Sequence, residues 1–202
     1  MGEEKLLIRT ARAEDAGDLA RIYRYYVEET AITFEYQAPD AAEMEARREE
    51  ILRHNPYLVV ESAKGVLGYA YAHAFYGRAA YAWSVEASIY IAREARGRGL
   101  GRSLYEALEK VLREMGILNI NACIAVPRTA DDPYLTNASI AFHQRLGYQL
   151  VGTFHQSGYK FGRWYDVAWM EKLLAAHTEK PRAVRPYASL PSAWVFRGND
   201  RG

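Results

Sequence analysis

The sequence predicts an α/β fold with a mixed central sheet flanked by helices, and three observations carry that expectation. Strand-like and helix-like hydrophobic patterns follow one another in the order β-α-α-β-β-β-α-β-α-β-β. A glycine-rich basic turn, Arg96-Gly97-Arg98-Gly99-Leu100-Gly101-Arg102, separates a β-like run from an amphipathic helix. The run Ile120 to Val126 is close to continuously apolar, as a buried strand is. The 202 residues suit one domain with a sizeable core, and no internal repeat is visible.

Taken in order, Lys5 to Arg9 reads as the first strand. Acidic residues at 14, 15 and 18 favour a helix N-terminus through the helix dipole. Leu19, Ile22, Tyr23 and Tyr26 give that helix its apolar stripe. Thr30 to Tyr36 is poor helix sequence and ends at Pro39, so it reads as a loop. Asp40-x-x-Glu43 has the spacing of a capping box and opens a second helix, with Met44, Ile51 and Leu52 inward, until Asn55-Pro56. Tyr57 to Ser62 and Val66 to Phe75 form a hairpin about Lys64-Gly65, and Gly77 breaks the second strand. Tyr81 to Ile91 is the next strand. It feeds the glycine-rich turn and a helix from about Gly99 to Met115, with the stripe Leu100, Leu104, Ala107, Leu108, Val111 and Met115. After Ile120 to Val126 comes a polar loop, Pro127 to Leu135, then a short helix, Asn137 to Leu146, stopped by Gly147. Gln149 to Phe154 and Tyr165 to Leu174 are the last strands. The folded domain is expected over 1–175. Residues 176–202, with Pro181, Pro186 and Pro191, read as an irregular C-terminal tail.

Composition narrows the partners. Half of the residues are apolar and a quarter are charged, an ordinary globular balance. A net charge of +1 gives no global field toward nucleic acid or membrane. The arginines at 96, 98 and 102 are a local patch, which suits one phosphorylated ligand better than a polymer. Cys123 is the single cysteine, so no internal disulfide can form, as in a reducing compartment; it reads as a small buried strand residue rather than a nucleophile. Met1 to Lys5 lacks an apolar signal region, and no run approaches the roughly 18 apolar residues of a membrane span. A cytoplasmic protein is expected. His54, His73, His155 and His177 lack metal-ligand spacing, so no metal is expected. Sixteen tyrosines are many, and several are expected to line a pocket.

Strand, glycine-rich basic turn and helix together make a phosphate-binding arrangement. Glycines let the backbone approach a ligand closely, and the first-turn amides of the helix attract an anion. Arginines beside the turn add charge-assisted bonds. Arg102 stands where a dinucleotide fingerprint needs its third glycine, and no Gly-Lys-Ser/Thr is present to make a P-loop. Arg96-x-x-Gly99-x-Gly101 instead resembles the Arg/Gln-x-x-Gly-x-Gly/Ala motif of the GNAT superfamily of N-acetyltransferases. The element order also resembles that superfamily's acyl-CoA N-acyltransferase fold, apart from the tail. The resemblance implies acetyl-CoA as co-substrate, its pyrophosphate wrapped by this turn.

Acetyl transfer to an amine needs a held thioester, a base for the amine proton and a donor for the tetrahedral oxyanion. Glu86 is the first candidate base. It lies mid-strand, about ten residues before the turn, and partial burial would raise its pKa toward neutrality. A structural ion pair, for instance with Arg78, is the other reading. His143 is either an acid for the departing thiolate or a group orienting the amine, or else a surface helix histidine bonded to a carbonyl. Asn137 is an N-cap, a ligand to the pantetheine amide, or both.

Longer motifs sharpen the resemblance. Tyr57-Leu58-Val59-Val60-Glu61, Gly68-Tyr69-Ala70-Tyr71-Ala72, Arg78-x-Ala80-Tyr81, Val85-Glu86-x-Ser88-Ile89-Tyr90-Ile91, Gly158-Tyr159-Lys160-Phe161-Gly162-Arg163-Trp164 and Pro181-Arg182-Ala183-Val184-Arg185-Pro186 resemble the phosphinothricin N-acetyltransferase subgroup. That resemblance implies Glu86 as general base through water, with Ile89, Tyr90 and Ile91 along the pantetheine. It implies Gly97, Arg98, Gly99, Leu100, Gly101 and Arg102 around the pyrophosphate and Asn137 on the cofactor. His143 falls on the family's histidine before the Leu-Gly-Tyr turn. Thr33-Phe34-Glu35, Arg78, Tyr81 and Lys160 fall where relatives build the acceptor pocket and the contact of a homodimer. Two departures concern the acceptor. Tyr76 stands where relatives often carry a basic residue, and the loop at 127–135 is longer than in many of them. The acceptor implied is a small amine, an amino acid or an analogue of the phosphinothricin or methionine sulfoximine type. A protein or peptide N-acetyltransferase and a non-catalytic CoA-binding module are the alternatives, and neither accounts as well for the aromatic loop at 34–36 or for Glu86 with His143.

Overall fold

The computed structural model describes residues 6–190 and the backbone of 195–197. In chain order its elements are β1 (Leu7–Thr10), α1 (Ala16–Glu29), α2 (Ala41–Leu52), β2 (Tyr57–Ser62), β3 (Gly65–Ala74), β4 (Ser84–Ile91), α3 (Leu100–Met115), β5 (Asn119–Val126), α4 (Ala138–Arg145), β6 (Gln149–Lys160), β7 (Arg163–Leu173) and β8 (Val195–Arg197). All the strands join one sheet in the order β6-β7-β5-β4-β3-β2-β1-β8. Every pairing is antiparallel except that of β4 with β5. The α/β class and mixed sheet are therefore as expected.

The two sides of β4 show how the layers form. Successive side chains of a strand point to opposite faces. The Tyr90 ring packs edge-on against Tyr23 and Tyr26 of α1, at 4.8 and 4.9 Å between centroids. Ile89, its neighbour, lies against the start of α3 at Gly101. So α1 and α3 cover opposite faces. The expected stripe of α3 is buried throughout, as are Leu19, Ile22, Tyr23 and Tyr26 of α1.

Several boundaries differ from the sequence reading for physical reasons. Lys5 lies outside the described residues. Tyr81 is not in a strand: Ala79–Tyr81 is a single 3₁₀ turn, and β4 starts at Ser84. At α2 only half of the capping box forms. The Asp40 carboxylate accepts from the Glu43 amide at 2.8 Å, while the Glu43 side chain turns to Arg47. β6 and β7 run on to a two-residue hairpin at Phe161-Gly162, both with φ above zero, which is type I′ geometry. The ring of Phe161 stacks on Tyr134 at 4.2 Å, a contact that offsets the strain of a non-glycine residue there.

The segment past 175 is not irregular throughout. Trp83 Nε1 donates to Arg182 O at 2.8 Å, and Arg185 N donates to Met115 O at 2.9 Å. Tyr187 and Leu190 are buried in the main core, and Val195–Arg197 pairs with β1. Prolines and a lack of periodicity hide such a segment, because long-range hydrogen bonds rather than local pattern hold it.

Candidate active site

The parallel contact of β4 with β5 is short. It covers only Ser84, Val85 and Glu86 against Asn119, Ile120 and Asn121. There the buried Asn121 side chain donates from Nδ2 to Val85 O at 3.0 Å, beside the last rungs of the ladder. Beyond it opens a slot of about 60 Å³, walled by β4, β5 and α4 and by the buried ring of Tyr105. Ala92 donates its amide to Leu67 O on the β3 side, so alternation turns the Ile91 backbone to the open edge. Both Ile91 groups are already bonded there. Its amide donates to the Tyr26 hydroxyl at 2.9 Å, and that hydroxyl donates to Ile91 O at 2.7 Å. Two and four residues back, the same edge belongs to Ile89 and Ala87; both groups of Ile89 and the carbonyl of Ala87 can pair with an extended ligand, the Ala87 amide being engaged by the end of the β5 ladder. The Tyr90 ring is inside the aromatic core, so of the run expected along the pantetheine, Ile89 presents free backbone groups and Tyr90 no side chain.

Cys123 corrects the expectation of a buried thiol. Because β5 has lost β4 as a neighbour by this point, Cys123 is exposed to the slot. Dehydration by the apolar walls and the Glu86 charge push its pKa up to about 11, so it stays a thiol at neutral pH.

At the mouth of the slot Gly97 and Gly99 have φ of +74° and +79°, and a Cβ on either would meet nothing within 4 Å. That open left-handed backbone leads into α3, whose ladder starts with Ser103 N donating to Gly99 O at 3.2 Å. The amides of Leu100, Gly101 and Arg102 lie ahead of that bond and are available to a phosphate. Gly101 has a second duty, since a Cβ there would crowd the Phe142 ring of α4 at 3.2 Å. Exposed Arg96 lies over the rings of Tyr25 and Tyr26, at 4.8 and 4.9 Å, with its guanidinium fixed beside the turn. Arg98 is exposed, and Arg102 lies 3.8 Å from Glu106. Asn137 is the N-cap residue of α4 by position, but its side chain caps no amide and is exposed.

Glu86 sits where β3, β4 and β5 meet, opposite His73 on β3 and Asn121 on β5. It is one-fifth exposed, and burial raises its pKa against the opposing pull of His73, whose Nε2 lies 3.9 Å from Oε2. The ion pair considered with Arg78 is not the one observed. His143 is buried rather than on the surface. Its Nδ1 faces the Ser139 carbonyl at 2.8 Å and must carry the proton, so Nε2 accepts from the Tyr105 hydroxyl at 3.2 Å. Burial lowers its pKa. A neutral His143 with its proton on the far nitrogen orients Tyr105 and has no proton to give toward the slot.

The acceptor candidates separate. Phe34 wedges against Gly158, where a Cβ would overlap its ring, and lies 6.1 Å from Tyr165. Lys160 is buried and donates to Thr30 O and Thr33 O at 2.9 and 2.7 Å. Burial pushes its pKa down to about 8. It therefore clamps the 30–36 loop instead of facing an acceptor, a role the sequence did not reveal. Arg78 is exposed, and among the described residues its guanidinium has no partner. Tyr81 and Tyr76, 5.2 Å apart, form an exposed aromatic group with Phe75. The 127–135 loop closes the rim, with Tyr134 O accepting from the Ala31 amide at 3.1 Å. Among the described residues no cluster of three metal-ligating side chains exists.

The split sheet, the open edge and the glycine turn fit a ligand with an extended amide arm and a pyrophosphate. Residues 8–169 match the sequence profile of the acetyltransferase (GNAT) domain. The chain belongs to the GNAT family. Phosphinothricin N-acetyltransferase of Streptomyces coelicolor is 36% identical over 181 residues, covering 86% of this chain and 99% of that protein. The L-amino acid N-acyltransferase of Escherichia coli K12 is 34% identical, covering 88% of this chain and 98% of that protein. A solved phosphinothricin acetyltransferase from Sinorhizobium meliloti, in complex with acetyl-CoA, has a TM-score of 0.76 at 36% identity and covers 89% of this chain and 97% of its own. This GNAT protein is an acetyl-CoA-dependent acetyltransferase.

Acetyl-CoA at a hundredfold excess over its Kd stabilises by about 2.7 kcal/mol, which for a domain of this size is roughly a 5–10 °C rise in Tm. Gly99→Glu places a carboxylate at the phosphates and abolishes that rise. Gly99→Ala, which shares the backbone strain without the charge, keeps more of it. An unchanged rise in Gly99→Glu rejects the turn as the phosphate site.

Proposed function

We propose that this GNAT enzyme acetylates the primary amine of a small amino acid or analogue, with Glu86 as general base. The observation that carries the reading is the position of Glu86. It stands at the closed end of the slot, on the strand whose open edge would hold the thioester, with its carboxylate on the α1 and α2 face. Glu86 takes the amine proton, directly or through one water. The nitrogen lone pair then attacks the thioester carbonyl, the backbone amides of the β4 edge meet the developing oxyanion, and the C–S electrons leave with the thiolate. A carboxylate with raised pKa is a stronger base.

Unpaired Arg78 beside Tyr81 supports an acceptor that carries an acid group. Its cation would hold a carboxylate or phosphinate and leave the amine toward Glu86. The names of the relatives, with phosphinothricin and L-amino acids as acceptors, agree with this. Tyr76 adds an exposed ring here, so the identity of the side group is open to change.

We further propose a two-fold homodimer through the β6–β7 hairpin. β6 is an outer strand of the sheet, and Leu150, Val151, Phe154, Tyr159 and Trp164 on this hairpin are all about half or more exposed. Such an apolar edge is a liability unless covered. The cytoplasm is the proposed compartment, on the strength of one unpaired thiol; among the described residues no helix is long and apolar enough to cross a membrane.

Three outcomes are expected. Glu86→Gln retains acetyl-CoA binding but loses roughly 10²–10⁴-fold in kcat. The acid limb of the wild-type pH–rate profile, which lies above the ordinary carboxylate range because burial opposes ionisation, disappears with it. Near-wild-type rates across pH would remove Glu86 from the chemistry. Arg78→Ala raises KM for amino-acid acceptors far more than for acetyl-CoA, because only acceptor binding is lost; equal rises refute the acid-group contact. Light scattering gives about twice the 23.0 kDa chain mass, and a single-chain mass refutes the dimer.

A further inference from the structure

A second cavity, of about 450 Å³, lies on the α1 and α2 face of the sheet. Its volume is in the range of small-molecule sites. The sheet side is a run of stacked rings. Tyr69 and Tyr57 are 5.6 Å apart, Tyr57 and Tyr71 are 5.0 Å apart, and His73 follows Tyr71 at 6.3 Å. Tyr23 adds a ring from α1, and Met44 and Ala46 form part of the α2 side. α2 buries only Met44, so it stands over the sheet without filling the space. The ring series ends at the base, because His73 Nε2 is 3.9 Å from Glu86 Oε2.

We infer that this cavity receives the side chain of the acceptor, and that the acceptor is an amino acid with a neutral aromatic side chain. The inference rests on the proposed roles of Glu86 and Arg78. Along β3 and the segment after it the order is Tyr71, His73 beside Glu86, and then Arg78. An α-amino acid carries side chain, amine and carboxylate on one Cα, so rings, base and cation on neighbouring segments can each take one of the three. Ring faces favour a flat aromatic group by offset or edge-on stacking. Both charged residues at the cavity are already paired, Arg47 with Glu35 at 2.8 Å and Glu50 with Arg53 at 2.7 Å. The cavity therefore asks for no charge on the side chain, unlike the anionic phosphinate of phosphinothricin.

The test is thiol release from acetyl-CoA with L-phenylalanine, L-tryptophan, L-alanine, phosphinothricin and phenethylamine. The expected result is a kcat/KM for the aromatic amino acids on the order of tenfold or more above that for alanine and phosphinothricin, the discrimination one apolar pocket supplies. Ala46→Phe adds a ring inside the cavity from an exposed helix position, and the phenylalanine-to-alanine ratio of kcat/KM falls about tenfold. No aromatic preference in the wild type overturns the inference, as does an unchanged ratio in a variant that keeps its acetyl-CoA thermal shift. If that variant loses the shift, the wild-type preference alone decides. Acetylation of phenethylamine but of no amino acid overturns the acid-group reading under the proposed function. In that case loss of phenethylamine turnover in Ala46→Phe still supports the aromatic cavity, and its retention overturns that too.

Discussion

The site depends on how briefly β4 pairs with β5. The ladder ends after three residues, and there the buried Asn121 side chain adds a bond from Nδ2 to Val85 O, a carbonyl the backbone pairing already engages. Past that point β4 leaves β5 while keeping its full pairing to β3 from Ala74 to Gly68. The result is a half-paired strand inside a sheet, which offers an extended ligand the same groups a neighbouring strand would use.

The two ends of that strand serve different steps. At its C-terminal end the chain passes through Gly97 and Gly99 into α3, where unbonded amides face an anion. At its N-terminal end Glu86 is held by pairing on both sides, with burial raising its pKa and His73 moderating the rise. The length of one strand thus sets the distance from the proposed phosphate site to the proposed base. Tyr26 limits the usable part by bonding both backbone groups of Ile91. α1, which supplies Tyr26, therefore fixes the length of the open edge as well as covering one face.

What was legible in the sequence was whatever depends on local pattern. The α3 stripe, the turn before it, the β2–β3 hairpin and the suspect carboxylate in β4 follow from periodicity, glycine spacing and a charge in a wrong place. What was not legible depends on which way a side chain turns. Lys160 and Arg78 are both cations near the 30–36 and 76–81 segments, but one is buried on two carbonyls and the other has no partner among the described residues. His143 is set by Ser139 one helical turn away and by Tyr105 from another helix, and only the first of these has a sequence spacing. Cys123 reads as core in an apolar run, and only the departure of β4 exposes it. Asn121 carried no signal, since a lone asparagine in a strand has no recognisable partner until the topology is known.

The contrast between the two ligand sides follows from the same distinction. The acetyl-CoA side is built mostly of backbone: a free strand edge, helix amides and glycines. Side-chain substitution changes such groups little, so one architecture can serve many relatives with a common co-substrate. The acceptor side is built of side chains held by long-range contacts, among them Phe34 against Gly158, the loop clamped by Lys160, and the rings of β2 and β3. Each of these can change without disturbing the split sheet. Tyr76, packed on Tyr81, and the 127–135 loop, bonded to Ala31, belong to the proposed acceptor side. Divergence of acceptor at fixed chemistry is what such a division of labour between backbone and side chain permits.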